Sequence, residues 1–443
     1  IDGEKLWCTN GPIAELIVLT AKVEGRVTAF IVEMDTPGIE MLQRCEFMGC
    51  RGIENGWVRF RGVPVPAENV LGDVGRGLRI ALTLLNVGRI SVAAICLGMA
   101  KQVFPWTVEW ANRREAFGKP IGRHELNSQK IARMAADIYA AEALVWLASA
   151  LEDRGGSDFR VEAAATKLFA SERLWSVVDT AMQIRGGRGY EKAWSQRARG
   201  EEAWPVEQIF RDARLYLIGE GASEILKLFI AREVWDPHLR RASAFLTGAG
   251  VERVREGGRL ARYYAGWYAE RLLPRRGETR PEEALPPGPR AQLGYVRSTS
   301  RRLARVGLQL MAWHREGLEG RQAQVARLAE IGVDLFVIAA AAARSAGDRA
   351  RERLARQVYL DARRRIEAAF DAIGSNDDGA TTQLGLSVLA GDFTSLIEGS
   401  MAAPASPLPL GAASRGAPAQ RVGQGQGQSA APMGGAASAE VPA

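Results

Sequence analysis

One carboxylate in this chain stands where acid–base chemistry could be done. Glu220 sits in the run Leu217-Ile218-Gly219-Glu220-Gly221-Ala222-Ser223, with apolar or small residues on both sides. An apolar surround disfavours the charged carboxylate and makes it a better base near neutral pH. Ser223 has the residue type of a helix N-cap, and Ile225, Leu226, Phe229 and Ile230 recur behind it at helical spacing. Spacing alone leaves a plainer reading open, an ordinary solvated loop acid.

Four further segments have unusual residue types close together. Trp7-Cys8-Thr9-Asn10 joins an indole to a hydroxyl, and Arg114-Glu115-Ala116-Phe117-Gly118 joins a guanidinium to an aromatic ring. Gln183-Ile184-Arg185-Gly186-Gly187 has paired glycines, which let another group approach the backbone where a Cβ would block it. Leu85-Asn86-Val87-Gly88-Arg89 sets a small residue beside a cation within an apolar run of helical period. The first three also have bland readings: a turn after a strand, a helix end closed by glycine and a Gly-rich loop. No metal site is expected. Cys8, Cys45, Cys50 and Cys96 lack CxxC spacing, and His124, His238 and His314 are far apart. The cysteines read as reduced thiols of an intracellular protein.

The elements that must position these residues change along the chain. Residues 1–66 hold four β-branched or alternating runs, IAELIVLTAKV, VTAFIVEM, IEMLQRCEF and WVRFRGV, punctuated by Gly, Pro and Asn. From Leu78 to Glu233 the period becomes helical, and three long helices plus the one after Glu220 predict a four-helix bundle. Trp235-Asp236-Pro237 reads as a break. Further helices are predicted at 252–273, 298–317, 321–346, 349–373 and 381–399, with a Pro/Gly-rich linker at 274–290. The fold class is thus α+β and mainly α. Its predicted parts are β structure over 1–77, a bundle over 78–235, an extra helical domain over 236–400 and a disordered tail over 401–443. No uninterrupted apolar run reaches 18 residues, so no transmembrane helix is expected. The opening residues lack the pattern of a signal peptide, and a start at Ile1 reads as the later part of a longer protein.

Net charge is +7, and residues 245–402 carry 24 arginines against 19 acids, with no lysine anywhere after Lys227. Arginine-favouring codon usage explains this, and so would an anionic partner such as a membrane surface. Tyr263, Tyr264, Trp267 and Tyr268, flanked by arginines, would suit a lipid interface or simply pack on the bundle. Arginine without aromatic stacking motifs makes nucleic acid an unlikely partner.

The run Arg211-Asp212-Ala213-Arg214 through Ile218 to Glu220-Gly221 resembles the base-bearing motif of the acyl-CoA dehydrogenases, R-D-x-[RK]-x-x-x-I-[YF]-E-G-[TS]. Gly219 stands where an aromatic is usual and Ala222 where threonine is usual, which puts one hydroxyl contact in doubt. The resemblance covers roughly residues 1–235. It implies that Glu220 is the catalytic base and that FAD takes the hydride, since no side chain can. It implies FAD contacts from Trp7, Thr9, Gln183, Gly186 and Gly187, and from Arg114 and Phe117 onto the flavin of a neighbouring subunit. Arg89, Gly219 and Gly221 would lie beside the substrate. The LNVGR segment and the helical extension resemble the very-long-chain branch in a bacterial form. An acyl-CoA substrate, an electron-transferring flavoprotein, a homodimer or homotetramer and a cytoplasmic or inner-membrane-peripheral location follow as implications. The family's N-terminal helical domain and T-E-x-x-x-G-S-D segment have no counterpart in these residues. An acyl-CoA oxidase, or a non-catalytic protein of this fold that binds membrane or nucleic acid, are the competing readings.

Overall fold

A computed structural model of the chain describes residues 1–155, 158–247, 250–272 and 281–397. Six strands open it: β1 (Gly3–Thr9), β2 (Leu16–Val23), β3 (Arg26–Glu33), β4 (Ile39–Arg44), β5 (Asn55–Phe60) and β6 (Val70–Leu71). They form two antiparallel sheets, ordered β1-β5-β4 and β2-β3-β6. The β2–β3 hairpin turns on Glu24 and Gly25, with φ of 49° and 78°, between the paired residues Val23 and Arg26. Two left-handed residues match the twist of the strands they join. Alternation then turns Leu19, Phe30, Val32, Val58 and Phe60 inward, where they form one buried cluster with Val63. β1 was not among the four runs read as strands; it pairs with β5 through a bulge between Lys5 and Cys8.

The helical part begins with α1 (Gly77–Arg113), whose start is tied to the sheet by Gly75 N donating to Thr28 Oγ1 at 3.0 Å. A short hairpin, β7 (Glu115–Ala116) and β8 (Lys119–Pro120), leads to α2 (Glu125–Arg154) and α3 (Arg160–Arg185). Two short helices, α4 (Gly187–Tyr190) and α5 (Ala193–Ala198), precede α6 (Val206–Leu215) and α7 (Ser223–Thr247). Helices α1, α2, α3 and α7 are the four expected. The charged segment after Gly187 is ordered by ion pairs, Arg188 to Glu201 at 2.7 Å and Arg199 to Glu191 at 2.5 Å.

Pro237 does not end the bundle, contrary to the sequence reading: α7 runs through it to Thr247. Proline removes one helix hydrogen bond, but packing on both sides holds the helix. Trp235 packs on the core, and the His238 ring meets Trp267 edge-on at 5.7 Å. Beyond lie α8 (Gly250–Leu272), α9 (Pro287–His314), α10 (Gln322–Ser345), α11 (Arg349–Gly374) and α12 (Asp378–Ala390). α9 starts inside the stretch read as linker, with Pro287 at its first position, where the missing N–H costs nothing.

The boundary expected at 235/236 therefore falls inside a helix, and the packing ignores it. Leu144 of α2, Ile331 and Ile338 of α10 and Ile366 of α11 share one core. The Tyr139 hydroxyl donates to the Ala341 carbonyl at 3.0 Å, and Lys227 Nζ reaches Glu330 at 2.6 Å. Residues Ile1–Asn376 make one compact unit, and the chain from Asp377 a second. The tail expected to be disordered, 401–443, lies outside the described residues.

By length and composition α1 and α2 are both apolar enough to cross a membrane, although neither holds an uninterrupted apolar run of 18 residues. Of the two readings of the aromatic run, packing on the bundle holds for Tyr264 and Trp267, whose rings meet His238 of α7. Trp267 is buried, and the Tyr264 hydroxyl lies 3.1 Å from His238 Nδ1. Tyr264 and Trp267, three residues apart, share the face that α8 turns toward the bundle.

Candidate active site

α6 ends at Leu215, and the chain turns before α7. Gly219 N donates to Leu215 O at 2.8 Å and Ser223 N to Leu217 O at 3.2 Å. Within this turn Glu220 and Gly221 take φ of 56° and 102°, two successive left-handed residues. A non-glycine residue held there costs about 1–3 kcal/mol and persists only where its surroundings over-determine it. The expected N-cap is displaced by one: Ala222 O accepts from Leu226 N at 2.9 Å, and Ser223 is the first helical residue. Its Oγ is buried without a hydrogen-bond partner.

Glu220 is not enclosed as its apolar neighbours suggested; it is exposed, because the left-handed turn lifts it off the helices. One side is covered by α1, where a Cβ added at Gly88 would lie 3.5 Å from Glu220 Oε2. Leu85 to Arg89 lies within α1, in the helical run expected from Leu78. Arg89 is buried, with its guanidinium 4.6 Å from the centre of the Phe229 ring and Nη1 donating to Asn86 Oδ1 at 3.3 Å. Burial lowers its pKa, while the Glu220 and Glu233 carboxylates act the other way.

Beneath the turn lies a residue the sequence reading passed over. Lys167 of α3 is fully buried, and its Nζ donates to the Gly221 carbonyl at 2.8 Å. Burial pushes its pKa down to about 8. A lysine within the Ala-rich run EAAATKLFAS was the available signal. Because this folded value lies below the ordinary 10.5, protonation opposes folding at neutral pH. That penalty is present below pH 8 and is relieved as pH rises toward 10.5. Thermal unfolding from pH 7 to 10 should show this rise in wild type relative to Lys167→Met, which lacks the titrating group.

The Arg211-Asp212 pair clamps the β-sheets onto the base-bearing segment. Arg211 Nη1 donates to Met48 O at 2.6 Å, and Cys50 N donates to Asp212 Oδ1 at 2.6 Å. Between them Gly49 approaches so closely that a Cβ would lie 2.5 Å from the Arg211 carbonyl. The same loop reaches the Trp7–Asn10 segment. Asn10 N donates to Glu54 O at 2.6 Å, and Asn55 Nδ2 donates to Thr9 Oγ1 at 3.3 Å. Trp7, in the bulge of β1, has φ of 57° and is 66% exposed. Bulges of this kind re-aim a side chain out of the sheet.

Arg114, Phe117, Gln183, Gly186 and Gly187 gather elsewhere. Arg114 caps the far end of α1, and Phe117, with φ of 52°, is 96% exposed. Arg185 stacks on Trp110 and Trp204 at 5.1 and 4.8 Å, which sets the exposed Gly186 turn beside that end. Eighteen residues of α3 separate Lys167 from Arg185, or about 27 Å of helix. The candidates thus form two clusters, one around Glu220 and Arg89 and one around Arg114 and Gly186. Among the described residues, the non-glycine residues with positive φ are Trp7, Asn10, Glu24, Cys50, Phe117 and Glu220. All but Glu24 fall in these segments, as strained backbone at functional sites does.

Two family models match the chain: acyl-CoA dehydrogenase, middle domain, over residues 1–63, and acyl-CoA dehydrogenase, C-terminal domain, over residues 75–235. The chain belongs to the acyl-CoA dehydrogenase family. It is 42% identical over 420 residues to the probable acyl-CoA dehydrogenase FadE10 of Mycobacterium tuberculosis, covering 90% of this chain and 64% of that protein. To the human mitochondrial very long-chain specific acyl-CoA dehydrogenase it is 37% identical over 241 residues, 52% of this chain and 35% of that one. An acyl-CoA dehydrogenase from Bacillus anthracis, complexed with FAD, shares the fold at a TM-score of 0.66 and 24% identity, over 87% of this chain and 65% of that one. The exposed Trp7 and Phe117 rings, the open Gly186 turn and the unpartnered Ser223 Oγ fit a bound flavin nucleotide, which needs stacking surfaces, close backbone approach and spare hydrogen-bonding groups.

Proposed function

We propose that this chain carries the base and much of the flavin site for FAD-dependent α,β-dehydrogenation of a fatty acyl-CoA to the trans-2-enoyl-CoA. The observation that supports it best is the placement of Glu220. Its carboxylate lies over Gly88 at the edge of an uncovered face of α1, on which Leu84, Val87 and Ile95 are exposed and apolar. A thioester whose alkyl chain lay along that face would bring its α-carbon to the carboxylate. Glu220 removes the α-proton, and FAD, when bound, supplies the acceptor for the β-hydride. Trp7, Thr9, Gln183, Gly186 and Gly187 would hold the cofactor. Arg89 keeps a fixed cation beneath the carboxylate, and Gly219 and Gly221 leave the turn slim. From Leu84 to Ile95 the face runs about 16 Å, at 1.5 Å per residue, which supports a long acyl chain. The test is visible absorbance under anaerobic conditions. Flavin bleaching on addition of a long-chain acyl-CoA is expected; an unchanged spectrum rejects the reading.

The second cluster supports a homodimer or homotetramer, because Arg114 and Phe117, with the Gly186 turn beside them, stand far from the Glu220 site of their own chain and would reach the cofactor of a neighbouring subunit. Reduced flavin would pass its electrons to an electron-transferring flavoprotein. Hydrogen peroxide formed in stoichiometric amounts with enoyl-CoA in air would instead mark an oxidase. A cytoplasmic enzyme, peripheral at the inner membrane through residues 245–400, rests on the arginine excess alone now that Trp267 and Tyr264 are packed away. Co-sedimentation with anionic liposomes that is lost in salt is expected, since exposed charges are screened within about 10 Å at 0.1 M.

Gly219 gives a narrower prediction. Its φ is not left-handed, and an added Cβ would meet only Leu215 at 3.5 Å, so the position has room for a side chain. Gly219→Tyr should fill the space beside the thioester and lower activity on branched acyl-CoA more than on straight chains. Equal loss on both, measured as kcat/KM, counts against a role in substrate shape.

A further inference from the structure

Lys167 has no part in the chemistry just described, yet among the described residues it is the largest of the wholly buried side chains. Its ammonium is sealed beneath the Glu220 turn. Cys96 and Arg89 face it from α1, Glu220 from the turn and Glu172 from its own helix. Burying a charge is costly unless it is paired and hydrogen-bonded, and an apolar side chain of the same shape would fill this space without that cost. Among the described residues Lys167 Nζ shows one hydrogen bond, to the Gly221 carbonyl at 2.8 Å. That carbonyl directly follows Glu220, in a turn whose two central residues are both left-handed. The turn's other bonds, from Ile218 N and Gly219 N to Leu215 O, from Ser223 N to Leu217 O and from Leu226 N to Ala222 O, join it to itself and to its flanking helices α6 and α7. Lys167 ties it to α3.

We propose that Lys167 is a positioning residue: by holding the Gly221 carbonyl from within the bundle, it fixes the turn in the conformation that aims the Glu220 carboxylate across Gly88. The inference rests on Glu220 being the base. Without the tie, the turn relaxes away from its left-handed conformation and the carboxylate loses its aim. A misplacement of about 1 Å can cost on the order of 100-fold in rate without weakening substrate binding.

The test is made on the FAD-loaded enzyme. Lys167→Met should keep the flavin content and the KM of wild type while kcat falls by about 10- to 100-fold. Stopped-flow flavin reduction with α-deuterated acyl-CoA should show a larger primary isotope effect than wild type, because proton removal becomes more rate-limiting. Lys167→Gln, which keeps an N–H donor without the charge, should fall between the two, and it carries the same measurement should Lys167→Met not fold. A lowered kcat matched by an equal loss of bound flavin, with an unchanged isotope effect, would assign Lys167 to structure and overturn the proposal. Wild-type kcat in Lys167→Met would overturn it too. If Glu220→Gln is inactive while Lys167→Met is unimpaired, only this inference fails; if Glu220→Gln remains active, the assignment of the base itself has failed.

Discussion

Glu220→Gln should lower the rate of acyl-CoA dehydrogenation by about 10²- to 10⁴-fold, the range that a positioned general base contributes. The amide keeps the size and most contacts of the carboxylate but cannot accept the α-proton. Its position over Gly88 and the Lys167 bond to the next carbonyl depend on the backbone, so the turn survives the change. The groups assigned to the cofactor lie on other segments, so FAD should stay bound at wild-type stoichiometry. Glu224, the nearest acid in sequence, is exposed on the first turn of α7 and is not held by the left-handed turn. Turnover equal to wild type in a flavin-replete Glu220→Gln enzyme would remove the base from the mechanism.

Gly49→Ala should destabilise the protein by about 1–3 kcal/mol, the usual cost of forcing an extra carbon into a packed site. The new Cβ would lie 2.5 Å from the carbonyl carbon and oxygen of Arg211 and 2.7 Å from Asp212 N. All three are backbone atoms, so no flexible side chain can swing aside. Relief requires the loop to part from α6, which breaks the Arg211–Met48 and Cys50–Asp212 hydrogen bonds together. Urea unfolding should therefore give a lower midpoint, and the released loop should also loosen Asn10 through Glu54. Gly52→Ala is the control: nothing lies within 4 Å of its Cβ position and its stability should not change. Equal midpoints for the two variants would show that the clamp contributes nothing.

Much of the helical part was legible because its signals are local. The 3.6-residue period found the three long helices between Leu78 and Glu233 and placed α8, α10 and α11 close to their observed limits. Pro237 misled because a proline's cost is local while the contacts that outweigh it, Trp235 on the core and His238 on Trp267, come from residues distant in sequence. β1 escaped notice because its bulge interrupts the alternation by which strands are read. The aromatic run on α8 could be assigned only by period, and a period does not say whether the face it defines meets lipid or another helix.

The site divides in the same way. The sequence by itself determined that Glu220 stands in a glycine-flanked turn before a helix, that Trp7, Thr9, Arg114, Phe117, Gln183, Gly186 and Gly187 occur in a family's order, and that no metal-ligand spacing accompanies them. These are matters of residue type and short-range spacing. Only the tertiary structure decided that Glu220 is open to solvent over Gly88, that Lys167 supports the turn from 54 residues away, and that Cys50 meets Asp212 across 162 residues. Such contacts leave no periodic trace, because their partners are chosen by how helices and sheets pack rather than by neighbours along the chain.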